Sequence, residues 1–290
     1  MTGKVFLNYT QKELDDAYSQ PVYAPNREQV LGRYATNSDI SRRYLGQPER
    51  LAYGPTEIEK LDVFRTKKPN APINVFIHGG AWRAGSARDY AFHAENFVGA
   101  GANLVVLDFN NVLETGGSLT IMADQIRRAV AWVYRNAQKI GGDRSRFYIS
   151  GTSSGAHFGG VCAATDWNKD HDLPADFVRG YTLCSGMYDL RGPRLSIRSQ
   201  YVKFTDEMEH ALSPQRHLER INAPIVLVYG SLETPEFQRQ SRDFAVALEQ
   251  AGKPVKLIRG EGYNHFEIAE TLATPYGIVG RAVLEQMELR

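Results

Sequence analysis

Six short runs rich in Val, Ile, Tyr and Phe recur along the chain, most of them closed by glycine, with longer amphipathic segments between them. They are "INVFIHGG" (73–80), "NLVVLDF" (103–109), "RFYISG" (146–151), "VRGYTLCSG" (178–186), "APIVLVYG" (223–230) and "PVKLIRG" (254–260). Continuous apolar runs of this length suit strands buried on both faces, and their alternation with helices predicts an α/β fold: a mostly parallel central sheet flanked by helices on both faces. "LDVFRT" (61–66) is expected to add an antiparallel edge strand. Met122, Ile126, Ala129, Val130, Val133 and Ala137 form one helical stripe, and Phe237, Phe244, Leu248 and Ala251 form another. Pro235 suits a first helical turn, and "AGKP" (251–254) supplies a stop and a return to strand. Two segments break the alternation. Residues 1–55 read as an N-terminal cap or lid, and an insertion near 187–220 interrupts a core of 56–290; both are expected to fold over the carboxyl edge of the sheet.

The third run ends in "ISGTSSG" (149–155) and leads straight into a helix-like segment. Gly-x-Ser-x-Gly between strand and helix marks a turn so tight that only small residues fit beside the central one, which is Ser153. Its hydroxyl is expected at the top of the sheet, facing the positive end of the next helix. Ser154 is a rival by type, but the glycines do not centre on it. "HGGAW" (78–82) also follows an apolar strand, so the N–H groups of Gly79 and Gly80, with that of Ser154, are expected to face a developing oxyanion. A serine nucleophile needs a base, and the base needs an orienting acid. His265, in the loop "GEGYNHFE" after the last strand, is the expected base; Glu233, in the loop after "VLVYG", is the expected acid, with Glu236 and Asp206 as alternatives. His78, His93 and His157 read as structural, and His171, His210 and His217 as surface residues.

Taken together, "HGGAW", "GTSSGAH", "SGMYDL", "ETPEFQRQS" and "YNHF" resemble the α/β-hydrolase superfamily, most closely its hormone-sensitive-lipase and arylformamidase (kynurenine formamidase) branch. The resemblance runs from about Leu61 to the C-terminus. It implies Ser153, Glu233 and His265 as a triad, Gly79, Gly80 and Ser154 as an oxyanion hole, and a small cap from the N-terminal segment. The chain departs from the pattern in carrying Glu233 where formamidases commonly have Asp, Ala81 at the third lipase-type glycine, and Ser154 where Ala is usual. The implied activity is that of a serine hydrolase cleaving small ester or amide substrates through an acyl-enzyme, as an arylformamidase-like enzyme or carboxylesterase on small aromatic substrates. A non-catalytic ligand-binding module and an acyltransferase are the alternatives. Trp82, Met187 and Tyr188 are expected to wall an apolar or aromatic substrate pocket, with Tyr18 and Tyr23 closing it from the lid. Arg83 is read either as a partner for a substrate carboxylate or as a solvated side chain.

Composition narrows the partners. A formal net charge of +1 over 290 residues gives no electrostatic reason to expect nucleic acid or an anionic membrane. The N-terminus lacks an apolar run of signal-peptide length, and no stretch approaches the roughly 20 apolar residues of a membrane span, so a soluble, cytoplasmic protein is expected. Cys162 and Cys184, both in apolar segments, read as buried reduced thiols. The expected partner is a small-molecule ester or amide, with a homodimer left open; no metal and no organic cofactor is expected.

Overall fold

The computed structural model describes residues 3–289. Its eight strands form one sheet in the order β1-β2-β4-β3-β5-β6-β7-β8. These are β1 Glu49–Ala52, β2 Lys60–Phe64, β3 Ala71–Ile77, β4 Asn103–Leu107, β5 Gly142–Thr152, β6 Val178–Cys184, β7 Ile225–Gly230 and β8 Val255–Gly260. From β4 to β8 every pairing is parallel, while β1 and β2 run antiparallel at one margin. All six predicted apolar runs are strands. "LDVFRT" holds the antiparallel strand β2, but β1 lies outside it, so β2 is not the edge. The polar opening segment therefore contributes a strand, and the part that leaves the sheet ends before Glu49.

Successive residues of the central strands feed two separate cores, as strand geometry requires. On β3 and β4, Val75, Ile77, Val105 and Leu107 face one core, whereas Phe76, Leu104 and Val106 face the other. The first face is covered by α5 (Leu119–Arg135), α6 (Ser154–Ala163) and α10 (Pro235–Gln250), the second by α4 (Ala94–Ala100), α11 (His265–Glu270) and α12 (Ile278–Gln286). Both predicted stripes are buried, through Met122, Ile126, Ala129, Val130 and Val133 on α5 and Phe237, Phe244 and Leu248 on α10. Ala251 instead caps α10 and is exposed. Pro235 occupies the first turn of α10, whose N-cap Thr234 accepts a hydrogen bond from the N–H of Phe237.

Three helices precede the sheet: α1 (Gln11–Ala17), α2 (Gln20–Tyr23) and α3 (Arg27–Leu45). An ion-pair chain on two buried carboxylates ties this segment down: buried Arg42 pairs with Asp62 at 2.8 Å, and the partly exposed Arg50 bridges Asp62 and Asp108 at 2.8 and 2.6 Å. The shorter helices α7 (Trp167–His171), α8 (Arg191–Leu195) and α9 (Asp206–Ala211) complete the set. The last two lie in the insertion between β6 and β7. Among the described residues, no helix is long and apolar enough to cross a membrane.

Candidate active site

Ser153 sits where β5 turns into α6, with φ +56° and ψ −123°. A non-glycine residue held in this region is strained, and here the surrounding packing imposes it. Gly155 makes the turn possible: a Cβ there would lie 2.0 Å from the carbonyl oxygen of Ile77 and 2.5 Å from that of His78. The "ISGTSSG" frame thus presses the start of α6 against the end of β3, and the serine is pushed out at the rim. Its own N–H donates to the carbonyl of Cys184 at 2.8 Å.

Three side chains separated in sequence meet at this rim. The hydroxyl of Ser153 lies 2.8 Å from Nε2 of His265, and Nδ1 of the same ring lies 2.8 Å from Oε2 of Glu233. An ionised carboxylate only accepts, so Nδ1 carries the proton and Nε2 is left as the acceptor for the serine O–H. The Glu233 side chain is fully buried, and its second oxygen accepts from the Ser185 hydroxyl at 2.6 Å and the Gly230 N–H at 2.7 Å. His265 begins α11, whose N-cap Asn264 forms a reciprocal capping box with Glu267. Phe237 packs edge-on to the imidazole at 4.8 Å. The two alternative acids are elsewhere: Glu236 is engaged by Tyr18 and Arg239, and Asp206 by Arg194.

Next to Ser153, the "HGGAW" loop runs through three residues of positive φ, Gly80 (+120°), Ala81 (+56°) and Trp82 (+64°). Gly80 is obligatory, since a Cβ would fall 1.9 Å from the carbonyl oxygen of Ala84. The loop is pinned at Trp82, whose N–H donates to the Ser154 hydroxyl at 3.2 Å and whose carbonyl accepts from Val112 at 2.7 Å. The N–H groups of Gly79, Gly80, Ala81 and Ser154 donate to no protein atom among the described residues. Gly79 packs behind Thr152 and Ser153, whereas Gly80 and Ala81 reach the cavity.

That cavity has a volume of about 510 Å³ and contains both Ser153 and His265. The N-terminal segment walls one side through Tyr18, Gln20, Glu28, Leu31 and Tyr34, and Ile197, Arg198 and Tyr201 wall another. The expected aromatic walls are a correction. Met187 and Tyr188 are fully buried, with Tyr188 stacked on Phe244 at 4.4 Å, and both belong to the core of the α10 face. Trp82 is also buried, beneath Arg198 and edge-on to His157, and none of the three lines the cavity. The later part of the insertion packs on Tyr188, whose carbonyl accepts from the Gln215 N–H at 3.1 Å, and of the insertion only the 197–201 turn reaches the cavity. Tyr18 does line it; Tyr23 does not.

Sequence reasoning missed Ser185, Ala81, Arg198 and the hydroxyl role of Ser154. Ser185 carries a detectable sign only in hindsight, as the small residue at φ +60° that ends β6 beside the acid. The structural histidines are buried as expected: His78 donates to the carbonyl of Gly79 at 2.8 Å and stacks on Phe109, while burial holds His157 down at about 4 and His93 at about 3. His217 proves buried rather than surface, packed against the carbonyl of His210. Both cysteines are free and buried, and burial raises the Cys162 thiol to about 12. Among the described residues, no three His, Cys, Asp or Glu side chains gather as metal ligands.

The BD-FAE family model matches residues 61–182, from β2 through the elbow to β6. Kynurenine formamidase from Danio rerio is 30% identical over 242 residues, covering 81% of this chain and 80% of that protein. The chain belongs to the arylformamidase-like family of α/β-hydrolases. Kynurenine formamidase from Salmo salar is 34% identical, covering 76% of this chain and 75% of its own length. Among solved structures, esterase LipW from Mycobacterium marinum superposes with a TM-score of 0.71 at 16% identity, covering 93% of this chain and 90% of that one, which speaks to the fold alone. This α/β-hydrolase is an enzyme of ester or amide hydrolysis.

Proposed function

We propose that the enzyme cleaves small aromatic formamides, and aryl esters as a secondary activity, by two-step acyl transfer through Ser153. The observation that carries this reading is the continuous relay from Glu233 through His265 to Ser153, with both links at 2.8 Å, opening on a cavity of about 510 Å³. His265 takes the serine proton as the hydroxyl attacks the carbonyl, and Glu233 favours the imidazolium that forms. The oxyanion rests on the N–H groups of Gly80, Ala81 and Ser154, while the expected donor Gly79 stands behind the loop and off the cavity; each donor that reaches the oxyanion contributes about 3 kcal/mol to the transition state. The protonated imidazole then returns its proton to the leaving amine or phenol, and water repeats the cycle on the acylated serine.

The formamide preference rests on the two kynurenine formamidase relatives, and the cavity size suits one aromatic ring with a short side chain. Residues before β1 act as a cap over the carboxyl edge of the sheet, and the 197–201 turn closes the opposite side. Two free buried cysteines suit a reducing compartment, which goes with a cytoplasmic location. The test is a side-by-side measurement of kcat/KM on N-formylkynurenine and p-nitrophenyl acetate. A dominant formamide rate is expected; a formamide rate below the ester rate would move the assignment to carboxylesterase.

A further inference from the structure

The cavity is lined by two buried polar side chains, Arg198 and Gln20, that the described residues leave partly or wholly without hydrogen-bond partners. Arg198, in the turn Ile197–Gln200, is only 3% exposed. One of its terminal nitrogens donates to the Tyr201 hydroxyl at 2.8 Å, its Nε has no partner, and no carboxylate pairs with it among the described residues. Its guanidinium lies between two rings, 5.2 Å from the centre of Trp82 and 5.8 Å from that of Phe237. Gln20, 8% exposed, has no partner for either amide atom among the described residues. Arg83 stacks on the Tyr201 ring at 4.7 Å, so that one phenol stands between two arginines, and Arg83 has no ion-pair partner either. The two carboxylates lining the cavity are already engaged, Glu28 by Arg27 and Asp89 by the Ser86 hydroxyl.

A buried guanidinium without a counter-charge is costly, and flanking aromatic faces recover only part of that cost. Such a group is stable in place when an anion arrives with the ligand. Arginine's planar fork suits a carboxylate better than a point cation does. Phe237 touches both Arg198 and the ring of His265, so the cation stands one aromatic ring away from the reacting imidazole. We propose that Arg198, assisted by Gln20 and Arg83, forms a subsite for a carboxylate carried on the leaving group of the substrate. The subsite deepens the hydrolase reading above and rests on it. It accounts for the absence of an acidic partner around the buried Arg198, with the exposed Arg83 as a second cation at the cavity, and it makes the enzyme selective for anionic aryl esters and amides over neutral ones of the same size.

The experiment compares 3-carboxyphenyl acetate with its neutral isostere 3-carbamoylphenyl acetate, and repeats the pair with the charged arm lengthened by one and two methylenes. At one arm length at least, kcat/KM for the carboxylate exceeds that for the carboxamide by tenfold or more, with the difference mainly in KM. Arg198→Met brings the ratio to about one, and the charge-preserving Arg198→Lys, which serves if the first variant does not fold, lowers it at least threefold. A wild-type ratio near one at every arm length, or a ratio untouched in these variants, overturns the subsite. Calorimetry separates this from the hydrolase reading: across 3-hydroxybenzoate and its homologues lengthened by one and two methylenes, at least one carboxylate binds the wild-type protein tenfold or more tightly than its carboxamide, whether or not any ester turns over. Equal binding within every pair counts against the subsite. Absent turnover with selective binding counts against the hydrolase reading alone.

Discussion

At Glu233, both oxygens are occupied by fixed donors, and the direction in which the acid points is set by a hydroxyl that does not itself reach the reacting atoms. Ser185 donates to Oε1 at 2.6 Å, leaving Oε2 for the imidazole. A hydrogen bond to a buried charged group contributes about 1.5–3 kcal/mol, so Ser185→Ala is expected to lower kcat roughly 10- to 100-fold with KM little changed; steady-state kinetics that show a loss in KM alone would assign Ser185 to substrate binding instead. His93 presents a second residue-level case. Among the described residues neither ring nitrogen has a partner, the ring packs among Phe76, Phe92 and Phe97, and burial holds its folded value at about 3. The unfolded histidine titrates near 6.5, so between these values the unfolded chain binds the extra proton and stability falls as the pH drops. His93→Leu removes that liability. Relative to wild type, the variant gains about 2 kcal/mol between pH 7 and pH 5, read from urea midpoints at the two values; parallel pH dependence in the two proteins would show that His93 does not carry the acid sensitivity. Ser153, Glu233 and His265 were legible because each follows a strand end with a distinctive loop. Ser185 was not, because a serine in "CSGMYD" looks like any turn residue until the acid is folded against it.

At the level of elements, the histidine loop depends on the segment that precedes the sheet. Asn26 donates to Glu267 at 2.7 Å and accepts from Asn264 at 2.8 Å, Tyr34 donates to the Phe266 carbonyl at 2.5 Å, and Arg33 grips Glu270 with two bonds of 2.6 Å. Since Asn264 and Glu267 form the capping box of α11, these contacts fix the first turn of the helix on which His265 stands. Asn26→Ala is therefore expected to reduce kcat about tenfold, equivalent to roughly 1.4 kcal/mol, and to speed hydrogen exchange in the first turn of α11; unchanged exchange and unchanged kcat would show that the helix holds itself. The strands and the α5 and α10 stripes could be read in advance because their periodicity is written in apolar residues. This clamp could not, since α3 is polar along much of its length and meets α11 through amides, a phenol and an ion pair whose partners lie more than 200 residues away. The misplaced aromatic pocket has a related origin. Met187 and Tyr188 look alike as pocket or core in sequence, and only the packing of Phe244 and the insertion decides between them.

Over the whole molecule, the parallel sheet delivers each loop of the proposed site to one edge: the Gly79–Trp82 loop after β3, the Ser153 elbow after β5, Ser185 after β6, Glu233 after β7 and His265 after β8. Because parallel strands share a direction, loops far apart in sequence converge at one rim, and residues of the segment before β1 line one side of the resulting cavity. The cavity wall is built from the least periodic parts of the chain, so the sheet beneath it was legible in the sequence while the polar lining, with Arg198 and Gln20, was not. The central claim is that Ser153 alone becomes acylated, driven by the imidazole beside it. Its most direct measurement is peptide mapping after treatment with a fluorophosphonate: the account predicts a single adduct on Ser153, abolished in Ser153→Ala and slowed at least 100-fold in His265→Ala. An adduct on another residue, or a wild-type protein that takes none, would contradict it.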